Sequence, residues 1–182
     1  MTSPAQRLRE LLGQERARVA PAVFNPLSAK LAEHAGFDVL YLGGGTIGYL
    51  KCCLEANLNI TELCQAGMEI RSVCDLPLIL DAAAGFGDPM HIHHTIAMAE
   101  AAGFAAIEIE DQILPKRAHH HVGLEHMVAQ ELMVAKVREA VRARGEPDPL
   151  FAGTTHRAEQ DAVHQSIGME EMLAIERATV EK

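Results

Sequence analysis

Two acidic side chains close two short apolar runs in this chain: Asp81 ends PLILD (77–81) and Glu110 ends AIEIE (106–110). If both runs are strands of one parallel sheet, the two carboxylates share a single mouth. Hard oxygen ligands placed this way suit Mg²⁺, which keeps several waters and takes one or two carboxylates. The same two residues could instead cap neighbouring helix N-termini or pair with a surface lysine, and position alone leaves both readings open. Gly43-Gly44-Gly45 follows the apolar run VLYL (39–42). Glycines there let backbone N–H groups approach an anion, or simply make a tight strand-to-helix turn. AGFGD (84–88) carries the same two readings and is not a GxGxxG dinucleotide fingerprint. Lys116 and Arg117 are adjacent in EDQILPKRAHHHVG (110–123). Arginine grips carboxylate or phosphate with two parallel bonds and lysine adds a point charge, unless the loop is merely solvated.

Six of the ten histidines form two clusters, HIHH (91–94) and His119-His120-His121. Zinc accepts imidazole, but an ordered site wants converging ligands. In an extended segment only His119 and His121 share a side. On a helix His91 and His94 are i, i+3 neighbours and His93 points elsewhere. No HExxH is present. Solvated or substrate-facing loop histidines are therefore favoured over a zinc site. The four cysteines, at 52, 53, 64 and 74, match no CxxC motif and are expected to be reduced and mostly buried.

These residues need a scaffold, and the chain alternates short apolar runs with helical stretches. Strands are expected over 20–24, 39–42, 77–81, 106–110 and from 150. Helices are expected over 4–18, 27–35, 61–73 (with Thr61 as N-cap), 90–102, 129–144 and 168–180. Repeated βα units at roughly 35-residue spacing mean parallel strands with helices packed on the sheet. The strand runs read as apolar on both sides, which implies helices on both faces. Parallel β/α folds place their chemistry at the C-terminal strand ends, where the glycine run, Asp81 and Glu110 all fall.

The chain has 182 residues, 48% hydrophobic and 23% charged, with no tryptophan and a formal charge of −9. That length indicates one domain, residues 1–182. The negative charge argues against a nucleic-acid partner, because phosphate contacts need clustered Lys and Arg. No apolar run approaches the roughly 20 residues of a membrane span. The N-terminus lacks an apolar signal-peptide core, so a cytoplasmic protein is expected.

FNPLSAKLAEHAGFDVLYLGGG (24–45), LPLILDAAAGFGDP (76–89), AAIEIEDQILPKRAHHHVG (105–123) and GMEEMLAIERA (168–178) together resemble the isocitrate lyase/phosphoenolpyruvate mutase superfamily. The two middle stretches match its patterns D-x-D-x-G-[FY]-G and I-E-D-Q-x-x-P-K-R-C-G-H. The resemblance implies a (β/α)8, TIM-type barrel of the α/β class, usually oligomeric, so a homo-oligomer is expected. It implies breakage or formation of C–C or P–C bonds in small 2-oxo or 2-hydroxy carboxylic acids, with Mg²⁺ (Mn²⁺ as the alternative) stabilising an enolate-like intermediate. By the same resemblance Asp81 is a metal ligand and Glu110 orients metal-bound water. Gly44 and Gly45 offer amides to a substrate carboxylate. Lys116 and Arg117 belong to a gating loop, Arg117 also holding substrate, and His120 matches the motif's final histidine.

Four departures temper this. Ala83 stands where the second Asp of D-x-D belongs, Ala118 replaces the lyase cysteine, Gly153 replaces an arginine after the fifth strand, and Asn57 stands for a further aspartate. The chain supplies about five of the eight βα units of a full barrel, as if shortened at its C-terminal side. The expected function is a lyase or decarboxylase, with decarboxylation favoured by the loss of the cysteine. The alternatives are a catalytically impaired relative acting by binding or assembly and, less favoured, a histidine-based transition-metal site.

Overall fold

A computed structural model describes residues 2–113, 127–145 and, for the backbone alone, 150–154. The elements in order are α1 (Pro4–Leu12), α2 (Pro26–His34), β1 (Leu40–Leu42), α3 (Gly44–Lys51), a 3₁₀ turn (Glu55–Asn57), α4 (Ile60–Arg71), β2 (Leu78–Asp81), α5 (Pro89–Ala101), β3 (Ala106–Glu110), α6 (Gln130–Ala143) and β4 (Leu150–Thr154). The expected last helix, 168–180, lies outside the described residues.

Local chemistry sets the helix starts. Ser3, Asn25, Asn59 and Asp88 each form a capping box, and Pro4, Pro26 and Pro89 occupy first-turn positions where a missing N–H costs nothing. Asn59 caps α4 in place of Thr61, because its side chain accepts from the Thr61 and Glu62 amides. Helix α1 stops at Leu12, capped by Gly13, rather than running to Arg18.

The four strands form one sheet in the order β1-β2-β3-β4, every neighbour parallel. The segment expected as the first strand, 20–24, is reduced to a parallel bridge between Ala22 and Tyr41. It lies beside β1, with bonds from the Val23 amide to the Tyr41 carbonyl (2.8 Å) and from the Tyr41 amide to the Pro21 carbonyl (3.1 Å). Sequential parallel order without a reversal is the arrangement of a barrel wall, not of a doubly wound sheet with a switch point.

The two sheet faces differ, which corrects the expectation of strands apolar on both sides. Leu40, Leu42, Leu78, Leu80, Ile107 and Ile109 face the helices and are at most 3% exposed. They pack with Ala29 and Ala32 of α2, Ile47 of α3, Leu63 of α4 and Ile92 and Ile96 of α5. Burial of such side chains contributes about 1.5–3 kcal/mol each, so this face holds the sheet to its helices. The alternate residues Tyr41, Ile79, Asp81, Glu108 and Glu110 are half-buried. Among the described residues, α1 covers the N-terminal end of that second face, where its Leu8 joins Val39, Ala105 and Ala106 in a smaller cluster.

Candidate active site at the mouth of β1 and β2

Asp81 is the last residue of β2, and both of its carboxylate oxygens accept backbone N–H groups. Oδ1 accepts from Ala83 at 2.9 Å and Oδ2 accepts from Gly44 at 3.4 Å. The first bond folds the chain into a tight turn after the strand. The second ties Asp81 to the first turn of α3, where the positive end of the helix dipole favours a negative group. Gly44 and Gly45 are the first two residues of α3, with Gly43 as a cap that makes no side-chain bond. The glycine run is thus both strand-to-helix turn and helix N-terminus.

The loop after β2 is unusual. Ala83 (φ 46°) and Phe86 (φ 59°) adopt left-handed conformations, as do Gly85 and Gly87. A non-glycine residue held there costs of order 1–3 kcal/mol unless its surroundings enforce it. They do so through the Ala83 carbonyl, which accepts the Glu110 amide at 2.7 Å, and the Gly85 carbonyl, which accepts Thr95 Oγ1 at 2.9 Å. One side of the loop lines a cavity of about 340 Å³ shared with Gly44, Glu55, Asn59 and Leu63; the loop contributes Ala83, Phe86 and Gly87 beside Asp81. The Glu55 carboxylate stands over the glycine pair, 3.4 Å from where a β-carbon on Gly45 would lie.

The structure brings Asp81 and Gly44 together at this cavity, and Gly45 follows Gly44 in the first turn of α3. Glu110 lies on the same sheet face as Asp81. Register pairs Asp81 with Glu108, so Glu110 stands two residues further towards the mouth. Lys116, Arg117 and His120, together with Ala118, His119 and His121, lie outside the described residues. Gly153 is described in backbone only.

The other histidine cluster is dispersed. His91 Nδ1 lies 2.9 Å from Asp88 Oδ1 and His93 Nε2 lies 2.9 Å from Glu139 Oε2, while His94 is exposed. No group of three His, Cys, Asp or Glu that could hold a metal ion occurs among the described residues. The cysteines are free; Cys64 and Cys74 are buried, but Cys52 is exposed and only Cys53 is intermediate, so half of the expected burial is met.

Sequence reasoning passed over Tyr41 and Glu108. The Tyr41 hydroxyl donates to Glu108 Oε2 at 2.6 Å across the second sheet face. Burial, then the neighbouring Asp81 carboxylate and the bond to Glu108, push the phenol well above its ordinary range, so it stays protonated. The alternation in VLYL and AIEIE was the available signal, since it places both residues on the Asp81 side of the sheet.

These donors bear on the Mg²⁺ that the resemblance implies. One strand-end aspartate lining the cavity, with a second carboxylate on the same face, fits an ion that keeps waters and borrows ligand oxygens. Among the described residues it does not fit a dehydrated transition metal, which would need three or four converging side chains.

Residues 8–180 match the family model described as phosphoenolpyruvate phosphomutase. The chain belongs to that family. It is 41% identical over 142 residues to a 2-methylisocitrate lyase of Aeropyrum pernix, covering 78% of this chain and 46% of that protein. It is 33% identical over 168 residues to an oxaloacetate decarboxylase of Paraburkholderia xenovorans, covering 91% and 56%. The fold matches phosphonopyruvate hydrolase crystallised with oxalate and Mg²⁺ at a TM-score of 0.78 and 30% identity, over 99% of this chain and 60% of that one. This phosphomutase-family chain is therefore of the TIM-barrel type, and it spans about half the length of the relatives it matches.

Proposed function

We propose that this chain carries the metal-binding and carboxylate-binding part of a Mg²⁺-dependent lyase or decarboxylase that breaks a C–C bond in a small 2-oxo or 2-hydroxy carboxylic acid. The observation that carries the reading is the bond between Asp81 Oδ2 and the Gly44 amide, which joins a candidate metal ligand to a helix N-terminus at one cavity. Relatives named for methylisocitrate cleavage and oxaloacetate decarboxylation support it.

Asp81 would hold the ion directly, and Glu110 would orient its water from the adjacent strand. When bound, Mg²⁺ supplies electrophilic polarisation of the substrate's oxygens. A substrate carboxylate would take the Gly45 amide and, by displacing the long bond to Asp81, the Gly44 amide, its charge favoured by the α3 dipole. C–C cleavage leaves an electron pair on the carbon next to the carbonyl, as an enolate, which then takes a proton. By the family resemblance Lys116, Arg117 and His120, which lie outside the described residues, would belong to a gating loop, Arg117 gripping carboxylate and His120 taking the proton-transfer role left by Ala118. Tyr41, with its proton committed to Glu108, is a fixed dipole beside Asp81 rather than an acid.

Turnover of oxaloacetate and of methylisocitrate with Mg²⁺, in the wild type and in Asp81→Ala, tests this. The expected result is Mg²⁺-dependent turnover lost on substitution; activity unchanged in Asp81→Ala would remove the metal assignment. Ala83 favours a second reading, because a methyl group lines the cavity where the family pattern has a carboxylate. In that reading the chain binds Mg²⁺ and oxalate, read by calorimetry, without turning over either substrate.

A further inference from the structure

Lys136 is the one lysine buried among the described residues, 4% exposed on α6, and the reading above gives it no role. A charged side chain is rarely placed so deep unless a partner requires it. Its Nζ donates to the Ala84 carbonyl at 2.9 Å, across 52 residues of sequence. Burial lowers its pKa, opposed by the Asp88 carboxylate.

The bond falls on the hidden side of the loop after β2. Asp81, Ala83, Phe86 and Gly87 face the cavity, whereas Ala84 and Gly85 are buried behind it. The Ala84 carbonyl is taken by Lys136 and the Gly85 carbonyl by Thr95. One residue earlier, Ala83 gives its amide to Asp81 and its carbonyl to the Glu110 amide. The Asp81 carboxylate, the Glu110 backbone and the lysine are therefore joined through two consecutive residues, left-handed Ala83 and its neighbour Ala84. An apolar side chain at position 136 would fill the same space and leave the Ala84 carbonyl without this donor.

We infer that Lys136 is a positioning residue: its ammonium clamps the Ala84 carbonyl and so holds the left-handed loop that aims Asp81 into the cavity. Only the functional consequence rests on the proposed function; the clamp itself is a statement about the loop.

The test uses the full chain as Lys136→Met and Lys136→Arg, the latter keeping both a donor and its reach. Hydrogen exchange reads the clamp and calorimetry with oxalate plus Mg²⁺ reads its consequence. In Lys136→Met, the Ala83 and Gly85 amides are expected to exchange roughly tenfold faster, the scale of one buried hydrogen bond lost. Amides of α1 stay unchanged, oxalate affinity falls by a similar factor, and Lys136→Arg restores both. If Lys136→Met does not fold, Lys136→Gln, whose donor is one bond shorter, is read the same way and is expected to fall between. Unchanged exchange at Ala83 and Gly85 in a folded variant overturns the clamp. Faster exchange with oxalate affinity unchanged overturns its positioning role. Faster exchange in a chain whose wild type binds no oxalate leaves the clamp standing and overturns the proposed function instead.

Discussion

At the scale of single residues, the site depends on where protons and lone pairs are committed. Asp81 spends one bond from each oxygen on backbone amides, so its orientation is set before any ligand arrives. Asp81→Asn keeps the shape and one acceptor but removes the charge. Mg²⁺ affinity is expected to fall at least about tenfold, as for a hard cation losing its charged ligand, with little change in melting temperature. Tyr41 gives a pH prediction. Unfolded, its phenol ionises near ~10; folded, burial and the Asp81 and Glu108 carboxylates hold the proton to higher pH. The unfolded state then binds fewer protons than the native state, so stability is complete below ~10 and declines as pH rises further. Denaturant titrations at pH 8 and pH 11 should show this loss in the wild type and a smaller one in Tyr41→Phe. Asp81 and Glu110 were legible in the sequence because each ends an apolar run. Lys136 was not, because a lysine inside a helical pattern looks like any solvated one until its neighbours are known.

At the scale of elements, legibility followed local chemistry. Helices α2 and α5 fell within a residue of expectation because proline, capping side chains and following glycines mark their ends, and α6, whose Ala129 cap makes no side-chain bond, was marked by its apolar spacing and Gly145. Helix α3 was missed because two of its first residues are glycine, each costing about 1 kcal/mol in a helix interior relative to alanine. Packing overrides that: Ile47 is fully buried, and a β-carbon on Gly48 would lie 2.8 Å from the Cys53 carbonyl. The left-handed loop after β2 was illegible for a related reason, since nothing about Ala83 or Phe86 advertises positive φ. Gly67 shows how tightly the helix layer fits. A β-carbon there would lie 2.3 Å from the Phe104 ring, itself 5% exposed. Gly67→Ala should gain about 1 kcal/mol in helix propensity but lose more to overpacking, at the upper end of the usual range of about 1–3 kcal/mol because three ring atoms would lie so close. Thermal unfolding is expected to show a net drop of several degrees, and an unchanged melting temperature would mean that α4 can shift outward.

At the scale of the whole molecule, the sheet presents one face sealed by helices and another that carries Tyr41, Asp81, Glu108 and Glu110 half-exposed. Alternation within AIEIE held that asymmetry in plain sight, but an all-apolar reading of the short runs concealed it. Only the parallel register shows that Asp81 and Glu108 sit side by side with Glu110 above. Three carboxylates on one face of a chain with formal charge −9 repel one another, and bound Mg²⁺ would relieve this. A ligand that binds only the folded state stabilises it in proportion to the logarithm of its concentration over Kd. At ten times Kd the gain is about 1.4 kcal/mol, which for a chain of this size corresponds to roughly 3–5 °C in Tm. Raising Mg²⁺ from zero to 10 mM at constant ionic strength should therefore shift the wild-type melt upward by a few degrees. The same titration should leave Asp81→Asn nearly flat. Ca²⁺ gives the contrast: it prefers six to eight oxygens and finds one strand-end aspartate at this cavity, so its shift should be smaller. Equal shifts for both ions in both proteins would mean that the divalent cation screens the acidic face as a whole, and that Asp81 is no specific ligand.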